Sequence, residues 1–183
     1  LGATVIGTVG SEDKAAIARS LGCDHVINYR EEAFAPRVRE LTQGRGVPVV
    51  FDSVGAATFE GSLDSLAPRG MLVSFGNASG AVPPVSPNVL AAKGSLYLTR
   101  PRLADYTATR AELLETAADL FAVLASGQVR VSIGQRYALQ DAAQAGLRRG
   151  DRHRAAFKVH HGGLSALGAL AGRARRPPPP LAG

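Results

Sequence analysis

Two polar side chains follow the first apolar stretch of the chain at a position where chemistry is possible. The β-branched run at residues 4–9 ends in Gly10 and Ser11, and a helical pattern with Lys14 in its first turn begins at once. At such a strand end in open α/β sheets, an acidic residue accepts the ribose hydroxyls of NAD. A hydroxyl and a cation suit a 2′-phosphate instead. The residues support two interpretations, an NADP site or a surface turn in which Ser11 only caps the helix.

Similar turns follow three further apolar runs, at residues 52–55, 76–80 and 100–101. Each has an ordinary structural interpretation beside a functional one. Residues 52–55 fit an Asx-type turn, 76–80 a flexible loop, and Arg100 a solvated charge. Tyr29, after the second strand pattern, fits a partly buried aromatic residue.

The elements that must position these turns alternate along the chain. Apolar runs typical of strands occupy residues 4–9, 25–28, 47–51, 71–75 and 95–99. Helical periodicity occupies residues 12–21, 34–41, 59–66 and 111–125, and weaker patterns predict a strand at 129–133, a helix at 140–147 and a strand at 156–159. Such alternation predicts an α/β fold with a parallel, doubly wound sheet and right-handed crossovers.

The charge of the chain is concentrated near its end. The 183 residues carry a formal net charge of +6, yet residues 1–150 hold 15 Lys and Arg against 14 Asp and Glu. Residues 163–183 are rich in Gly, Ala, Arg and Pro, which predicts a disordered tail. Because residues 1–150 are close to neutral, we expect no nucleic-acid partner.

Metal and membrane functions find little support in the sequence. The single cysteine, Cys23, excludes an internal disulfide and a cysteine-rich zinc site, and the four histidines have no ligand spacing with it. No apolar run approaches the roughly 20 residues that span a bilayer. We therefore expect no metal, no membrane association and a reducing, cytoplasmic setting.

Four stretches together resemble one family. They are VIGTVGSEDKA, HVINYREE, VVFDSVGAATFEGSLDSLAPRGMLVSFGNASG and AAKGSLYLTRP. They resemble the nucleotide-binding half of the NADPH-dependent quinone oxidoreductases, the zinc-free branch of the medium-chain dehydrogenase superfamily, in one register over about residues 1–145. The resemblance implies a cytoplasmic, usually dimeric enzyme with a Rossmann-like domain, which reduces quinones or related electrophilic carbonyls with NADPH.

The resemblance also implies roles for residues at the adenosine end of NADPH. Lys14, with Ser11 beside it, corresponds to the lysine that binds the 2′-phosphate. Tyr29 corresponds to the tyrosine that packs at the adenosine end, and Ser53 and Val54 lie in the loop bordering the adenine.

A second group corresponds to the nicotinamide end. These residues are Phe75, Gly76 and Asn77 beside the nicotinamide ribose, and Leu98, Thr99 and Arg100 near the nicotinamide. The resemblance implies no catalytic side chain, because hydride transfer is carried by the cofactor while the protein orients the reactants and excludes water.

The family pattern begins earlier than Leu1 and departs from this chain at its other end. We expect a substrate domain, the first strand and a G-x-G-x-x-G turn upstream, so that the strands flanking the first one are left with unpaired edges and the chain alone is poorly stable. Residues 127–162 include segments expected to pack on the missing catalytic domain. From about Gly146 the sequence is rich in Arg. A partial or frame-shifted gene model would explain both ends.

The leading hypothesis is a fragment of an NADPH:quinone oxidoreductase acting on a small molecule. Another medium-chain dehydrogenase, such as an enoyl reductase, is one alternative. A non-catalytic NADP-binding module is another. A methyltransferase-type sheet is disfavoured, because the end of the first strand lacks an acidic group for ribose hydroxyls.

Overall fold

The computed structural model of the chain describes residues 2–131, 133, 136–141 and 157–159. The chain divides into two units, one formed by Val5–Arg19 and Cys23–Leu113 and the other by Leu1–Thr4, Ser20–Gly22 and Leu114–Gly183. Every candidate site residue lies in the first of these units.

Strands and helices alternate through that unit as the sequence predicts. The strands of the described residues are β1 (Ile6–Val9), β2 (His25–Asn28), β3 (Val47–Asp52), β4 (Leu66–Ser74), β5 (Tyr97–Thr99), β6 (Val129–Val131) and β7 (Phe157–Val159). The helices are α1 (Glu12–Ser20), α2 (Phe34–Leu41), α3 (Phe59–Asp64), α4 (Pro87–Ala92), α5 (Leu103–Tyr106) and α6 (Arg110–Ala125), with a 3₁₀ turn at Leu139–Asp141.

The parallel strands form two separate sheets. One pairs β1 with β2, and the other has the order β3-β4-β5. All of these pairs are parallel, whereas β6 and β7 form an antiparallel pair. The α/β class is confirmed, with two parallel sheets in place of a continuous one. Within the described residues β1 and β3 each pair on one side only.

The core lies on one face of the β3-β4-β5 sheet, against α3. Its buried members are Phe59 and Leu63 of α3, Leu66 and Leu72 of β4, and Leu96 before β5. The opposite face of the same sheet exposes Val49, Phe51 and Tyr97.

Leu66 corrects the sequence prediction, which placed it on the inner face of a helix over 59–66. The helix ends at Asp64, and Leu66 is instead the first residue of β4. Arg39 explains the early end: its guanidinium donates to the carbonyl oxygens of Asp64 at 2.9 Å and of Leu66 at 2.7 Å. A carbonyl held by a side chain no longer needs a partner further along the helix.

Two short helices, α4 and α5, fall in segments for which the sequence predicts no helix. At the start of α4 the Ser86 side chain accepts a hydrogen bond from the Asn88 backbone N–H, and Pro87 occupies the first helical position. Both are ordinary helix-start signals. The proline-rich context of residues 83–87 concealed them.

Helix α6 is confirmed close to its predicted bounds. Its start has a reciprocal capping arrangement between Thr109 and Glu112, and Gly127, with φ of 73°, follows its end. Its apolar side chains Leu114, Leu120 and Phe121 are exposed. No helix in the described part of the chain is long and apolar enough to cross a membrane.

Several predictions for the end of the chain lie outside the described residues. Of the helix predicted at 140–147, only the 3₁₀ turn at Leu139–Asp141 touches a described segment. The predicted strand at 156–159 appears as β7. The tail predicted at 163–183 lies entirely outside the described part.

Replacement of Leu72 tests the position of the core. Leu72 is 0% exposed, whereas Leu103 is 76% exposed. We expect Leu72→Ala to lower the free energy of unfolding by about 2 to 5 kcal/mol, because it removes buried methyl groups and leaves a cavity. Leu103→Ala, which deletes the same atoms from the surface, should change it by less than about 0.5 kcal/mol. Urea unfolding followed by circular dichroism measures both, and equal losses would contradict the assigned core.

Candidate functional site

The turn after β1 lies directly beside the residue that follows β2. Because the two strands are parallel, their carboxyl ends share one edge, and the Tyr29 backbone N–H donates to the Val9 carbonyl at 3.0 Å just beyond the paired residues. A Cβ added to Gly10 would lie 2.7 Å from the Tyr29 hydroxyl. The absence of a side chain at Gly10 therefore lets the tyrosine pack over the turn.

Ser11 and Lys14 occupy the start of α1 at this edge. The Ser11 carbonyl accepts from the Ala15 backbone N–H at 3.0 Å, and its hydroxyl lies 3.5 Å from the Lys14 backbone N–H, a long capping contact. Both interpretations of Ser11 thus remain compatible with its position. The Lys14 side chain is half-buried, and among the described residues it forms no ion pair.

A buried carboxylate organises the turn after β3. Asp52 is 5% exposed, and its Oδ1 accepts from the backbone N–H groups of Val54 at 2.8 Å and Gly55 at 3.0 Å. This is the Asx turn that the sequence offered as the ordinary interpretation. The hydroxyls of Thr58 and Ser62 donate to Oδ2 at 2.8 and 2.7 Å, so α3 is tied to the same group.

Two opposing effects act on the ionisation of Asp52. Burial raises the pKa of the carboxyl, but the hydrogen bonds from Ser62, Gly55, Thr58 and Val54 outweigh it and hold the pKa below its ordinary value. The group is therefore a charged hydrogen-bond acceptor inside the protein.

The turn after β3 is joined to the loop after β4 by backbone hydrogen bonds. The Phe75 N–H donates to the Asp52 carbonyl at 2.8 Å, and the Ala78 N–H donates to the Ser53 carbonyl at 3.3 Å. The Val54 carbonyl accepts from both the backbone N–H and the hydroxyl of Ser79, at 2.7 and 2.8 Å. The predicted site residues Ser53, Val54 and Phe75 are consequently parts of one hydrogen-bonded unit.

Glycine is required for this approach. A Cβ on Gly76 would lie 2.3 Å from the Ser53 carbonyl oxygen, and a Cβ on Gly55, whose φ is 90°, would lie 2.5 Å from the Gly80 carbonyl oxygen. Gly76 is a predicted site residue, and Asn77 follows it as an exposed side chain. The composition of the loop at residues 76–80 had allowed a flexible segment, but the loop is held against the turn after β3.

The remaining predicted residues lie on or after β5. Leu98 pairs with Leu72 and Thr99 with Val73. The Arg100 guanidinium donates to the carbonyl of Ser74, the last residue of β4, at 3.0 Å. Arg100 is therefore fixed next to the loop that contains Phe75 to Asn77, and is more than a solvated charge.

A cleft of about 370 Å³ lies between the segment after β2 and helix α3. The Phe34 ring packs against Gly61 on its wall. Its lining residues are Tyr29, Glu32, Ala33, Phe34, Ala35, Pro36, Ala57, Thr58, Gly61 and Asp64. Tyr29 and the Asp52-bound Thr58 thus face one space.

Metal ligands are not gathered here. In the described ranges no three side chains among His, Cys, Asp and Glu come close enough to hold an ion. Burial, together with the negative charge of Asp24, raises the pKa of the Cys23 thiol, which disfavours the thiolate needed for ligation. His153, His160 and His161 lie outside the described residues.

Sequence reasoning named the turn at residues 52–55 but missed the side chains that fix it. Thr58 and Ser62 share one helix face because they are four residues apart, and both reach Asp52. An acidic residue closing a buried strand, followed by two hydroxyls at this spacing, was the available signal. No such signal in the sequence indicated Ser79, because its contact with Val54 depends on the pairing of two loops that are distant in sequence.

Asp52→Asn tests the buried carboxylate. We expect a loss of about 1 to 3 kcal/mol in the free energy of unfolding at neutral pH, because the hydroxyl and N–H donors lose a charged acceptor. Because the pKa of Asp52 is lower in the folded than in the unfolded protein, the charged carboxylate stabilises the folded state above the unfolded pKa of about 3.9. This stabilisation is lost as the pH falls through the folded pKa. Urea unfolding from pH 7 to about pH 3 should therefore show a shallower acid loss in the variant than in the wild type.

The exposed Asp119 provides the control for that experiment. Asp119→Asn removes the same charge from the surface of α6 and should leave both the unfolding free energy and its pH dependence close to the wild type. If Asp52→Asn behaved like Asp119→Asn, the carboxylate would not hold the turn.

Comparison with known proteins gives relatives over most of the chain. The quinone oxidoreductase of Salmonella typhimurium is 54% identical over 147 residues, which are 79% of this chain and 45% of the relative. The 2-haloacrylate reductase of a Burkholderia species is 47% identical over 146 residues, 79% of this chain and 44% of the relative. The chain spans less than half the length of these curated relatives.

Known structures agree with the fold. The crystal structure of Escherichia coli quinone oxidoreductase complexed with NADPH matches with a TM-score of 0.79 and 48% identity, over 86% of this chain and 49% of that one. This similarity confirms the predicted Rossmann-like class. The family model described as zinc-binding dehydrogenase matches residues 1–121. Since that match covers about two thirds of the sequence, the chain belongs to the zinc-binding dehydrogenase family.

Proposed function

We propose that this chain is the NADPH-binding part of an oxidoreductase that transfers hydride to a quinone or a related electrophilic carbonyl. The observation that carries the proposal is the turn after β1, where the half-buried Lys14 has no ion-pair partner in the described part of the chain. A cation at this strand end suits the 2′-phosphate that distinguishes NADPH from NADH. The Escherichia coli relative, which was crystallised with NADPH, supports the same choice.

The residues of this edge fit the adenosine end of the cofactor. The missing side chain at Gly10 leaves room for Tyr29, and the two together form a wall beside Ser11 and Lys14. In the proposal Lys14 and the Ser11 hydroxyl bind the 2′-phosphate, while Tyr29 packs against the adenosine. Ser53 and Val54 border the adenine.

The edge of the β3-β4-β5 sheet fits the reacting end. The proposed contacts to the nicotinamide and its ribose come from Phe75, Gly76 and Asn77 and from Leu98, Thr99 and Arg100. When bound, NADPH supplies the hydride, and these residues orient the ring and shield it from water. The hydrogen bonds from Ala78 to Ser53 and from Arg100 to Ser74 support this role, because they hold the loop in one conformation.

The proposal assigns no zinc ligand to this chain. The family description names zinc, but the residues that the structure describes bring no set of ligands together. The part of the reaction that binds the quinone is proposed to lie outside this chain, which spans 45% of the Salmonella typhimurium relative.

The proposal extends to the whole protein. In this proposal the complete protein is a cytoplasmic homodimer that acts on a small molecule, and residues 1–162 are its nucleotide-binding domain. The support for this is the resemblance of the four sequence stretches to that family.

One observation favours a second candidate function. The similarity to a 2-haloacrylate reductase, at 47% identity, is almost as high as that to the quinone oxidoreductase. Reduction of an activated carbon–carbon double bond is therefore the alternative for the complete enzyme. A non-catalytic NADP-binding module is the other alternative, and NADPH binding without substrate turnover by the complete protein would support it.

Lys14→Ala tests the choice of cofactor. We expect the wild type to bind NADPH more tightly than NADH, and the variant to lose about 1.5 to 3 kcal/mol of NADPH binding because a charge-assisted contact is removed. NADH binding should be unchanged. Isothermal titration calorimetry of both nucleotides measures these values.

The matched control for Lys14 is Arg45→Ala, which removes an exposed cation from the segment that precedes β3, at the opposite end of that strand. It should bind both nucleotides like the wild type. Equal affinity of the wild type for NADH and NADPH would overturn the cofactor assignment.

A further inference from the structure

A second cation lies at the turn between β1 and α1. Arg30 follows Tyr29 directly, and its Nε lies 3.5 Å from the position that a Cβ on Gly10 would occupy. The same position is 2.7 Å from the Tyr29 hydroxyl. The guanidinium and the phenol therefore lie on the same side of the Gly10 turn.

The backbone of Arg30 is held in place by its neighbour. The Asn28 side-chain oxygen accepts from the Arg30 backbone N–H at 3.2 Å, which is an Asx turn at the end of β2. The amide group of the same side chain donates to Glu31 at 2.6 Å. Asn28 thus fixes the direction of the chain where the arginine leaves the strand.

Two of the carboxylates near this turn, those of Glu12 and Glu31, have other partners. Glu12, at the start of α1, forms an ion pair with Arg19 at 2.6 Å, and Glu31 accepts from Asn28. The charge of Glu32 contributes to raising the pKa of Arg37. In the described part of the chain Arg30 itself, although exposed, forms no ion pair.

We propose that Arg30 is a specificity-determining residue that donates a second charge-assisted contact to the 2′-phosphate, alongside Lys14. This inference rests on the proposed function, because it concerns the same phosphate. A phosphomonoester carries close to two negative charges at neutral pH, which two cations neutralise better than one. Arginine also presents a planar set of donors that matches phosphate oxygens, whereas lysine acts as a point charge.

The recognised chemistry is a phosphate on the 2′ position of adenosine, and free inorganic phosphate offers the same anion without the nucleoside. The probes are therefore 2′,5′-ADP, 5′-AMP and inorganic phosphate, each titrated into the full chain. Only 2′,5′-ADP carries both the 2′-phosphate and the adenosine against which Tyr29 is proposed to pack. It should therefore bind more tightly than 5′-AMP or inorganic phosphate.

Arg30→Gln is the test, with Arg45→Gln as the control that removes one exposed guanidinium from the other end of the strands. At low ionic strength we expect Arg30→Gln to weaken 2′,5′-ADP binding about tenfold, the lower end of the range for a hydrogen bond to a charged group. Binding of 5′-AMP should stay the same in both variants. The affinity of Arg30→Gln for 2′,5′-ADP should also depend less steeply on salt, because one charge fewer is screened.

The outcomes distinguish a failure of the Arg30 inference from a failure of the proposed NADPH binding. If the wild type prefers 2′,5′-ADP, Lys14→Ala loses that preference and Arg30→Gln keeps it, Arg30 has no role and the cofactor proposal stands. If the wild type binds 2′,5′-ADP and 5′-AMP equally, or neither of them, both proposals fail. If Arg30→Gln and Arg45→Gln have the same melting temperature, a loss of 2′,5′-ADP affinity in Arg30→Gln comes from the lost contact with the phosphate and not from unfolding. If Arg30→Gln has the lower melting temperature and also loses 5′-AMP binding, Arg30 has a structural role and the inference is overturned.

Discussion

The buried carboxylate of Asp52 sits where a strand, a turn and a helix meet. It accepts the N–H groups of Val54 and Gly55 and the hydroxyls of Thr58 and Ser62, so one charged group fixes the end of β3 and the start of α3. A buried charge is costly unless it is fully hydrogen-bonded, and these four donors satisfy that requirement. The neighbouring loop then pairs with this turn by backbone bonds, which makes the edge of the sheet rigid.

The two sheet edges differ in chemistry. The edge of β1 and β2 carries the cations Lys14 and Arg30 and the ring of Tyr29, whereas the edge of β3 to β5 carries the Phe75 ring, backbone groups and small residues, with Arg100 bound to the Ser74 carbonyl. Such a division suits a ligand with a charged end and a flat, neutral end. The cleft that Tyr29 and Thr58 line lies between the segment after β2 and helix α3. Local turn residues therefore form each of the two edges, and parallel strand pairing brings the turns of one sheet to the same edge.

Local patterns predicted the elements whose signals are local. The apolar spacing of α2 and of α6 gave bounds within one residue of those observed. The assignment of Leu66 to a helix was wrong because Arg39, 27 residues away in sequence, binds its carbonyl. The same limit applies to the site. Lys14 follows from its position after a strand, but the nearness of Arg30 to Gly10 and the contact of Ser79 with Val54 depend on neighbours that periodicity does not show.

The central claim is that the edge of β1 and β2 recognises the phosphate on the 2′ position of adenosine. Two-dimensional ¹H–¹⁵N NMR of the labelled chain, titrated with 2′,5′-ADP and then with 5′-AMP, tests it at individual residues. 2′,5′-ADP should shift the backbone amides of Ser11, Lys14 and Arg30 more strongly than 5′-AMP does, and the amides of Gly44 and Gly46, which precede β3, should stay unchanged with either probe. Equal shifts of Ser11, Lys14 and Arg30 with both nucleotides, or shifts confined to Gly44 and Gly46, would contradict the account.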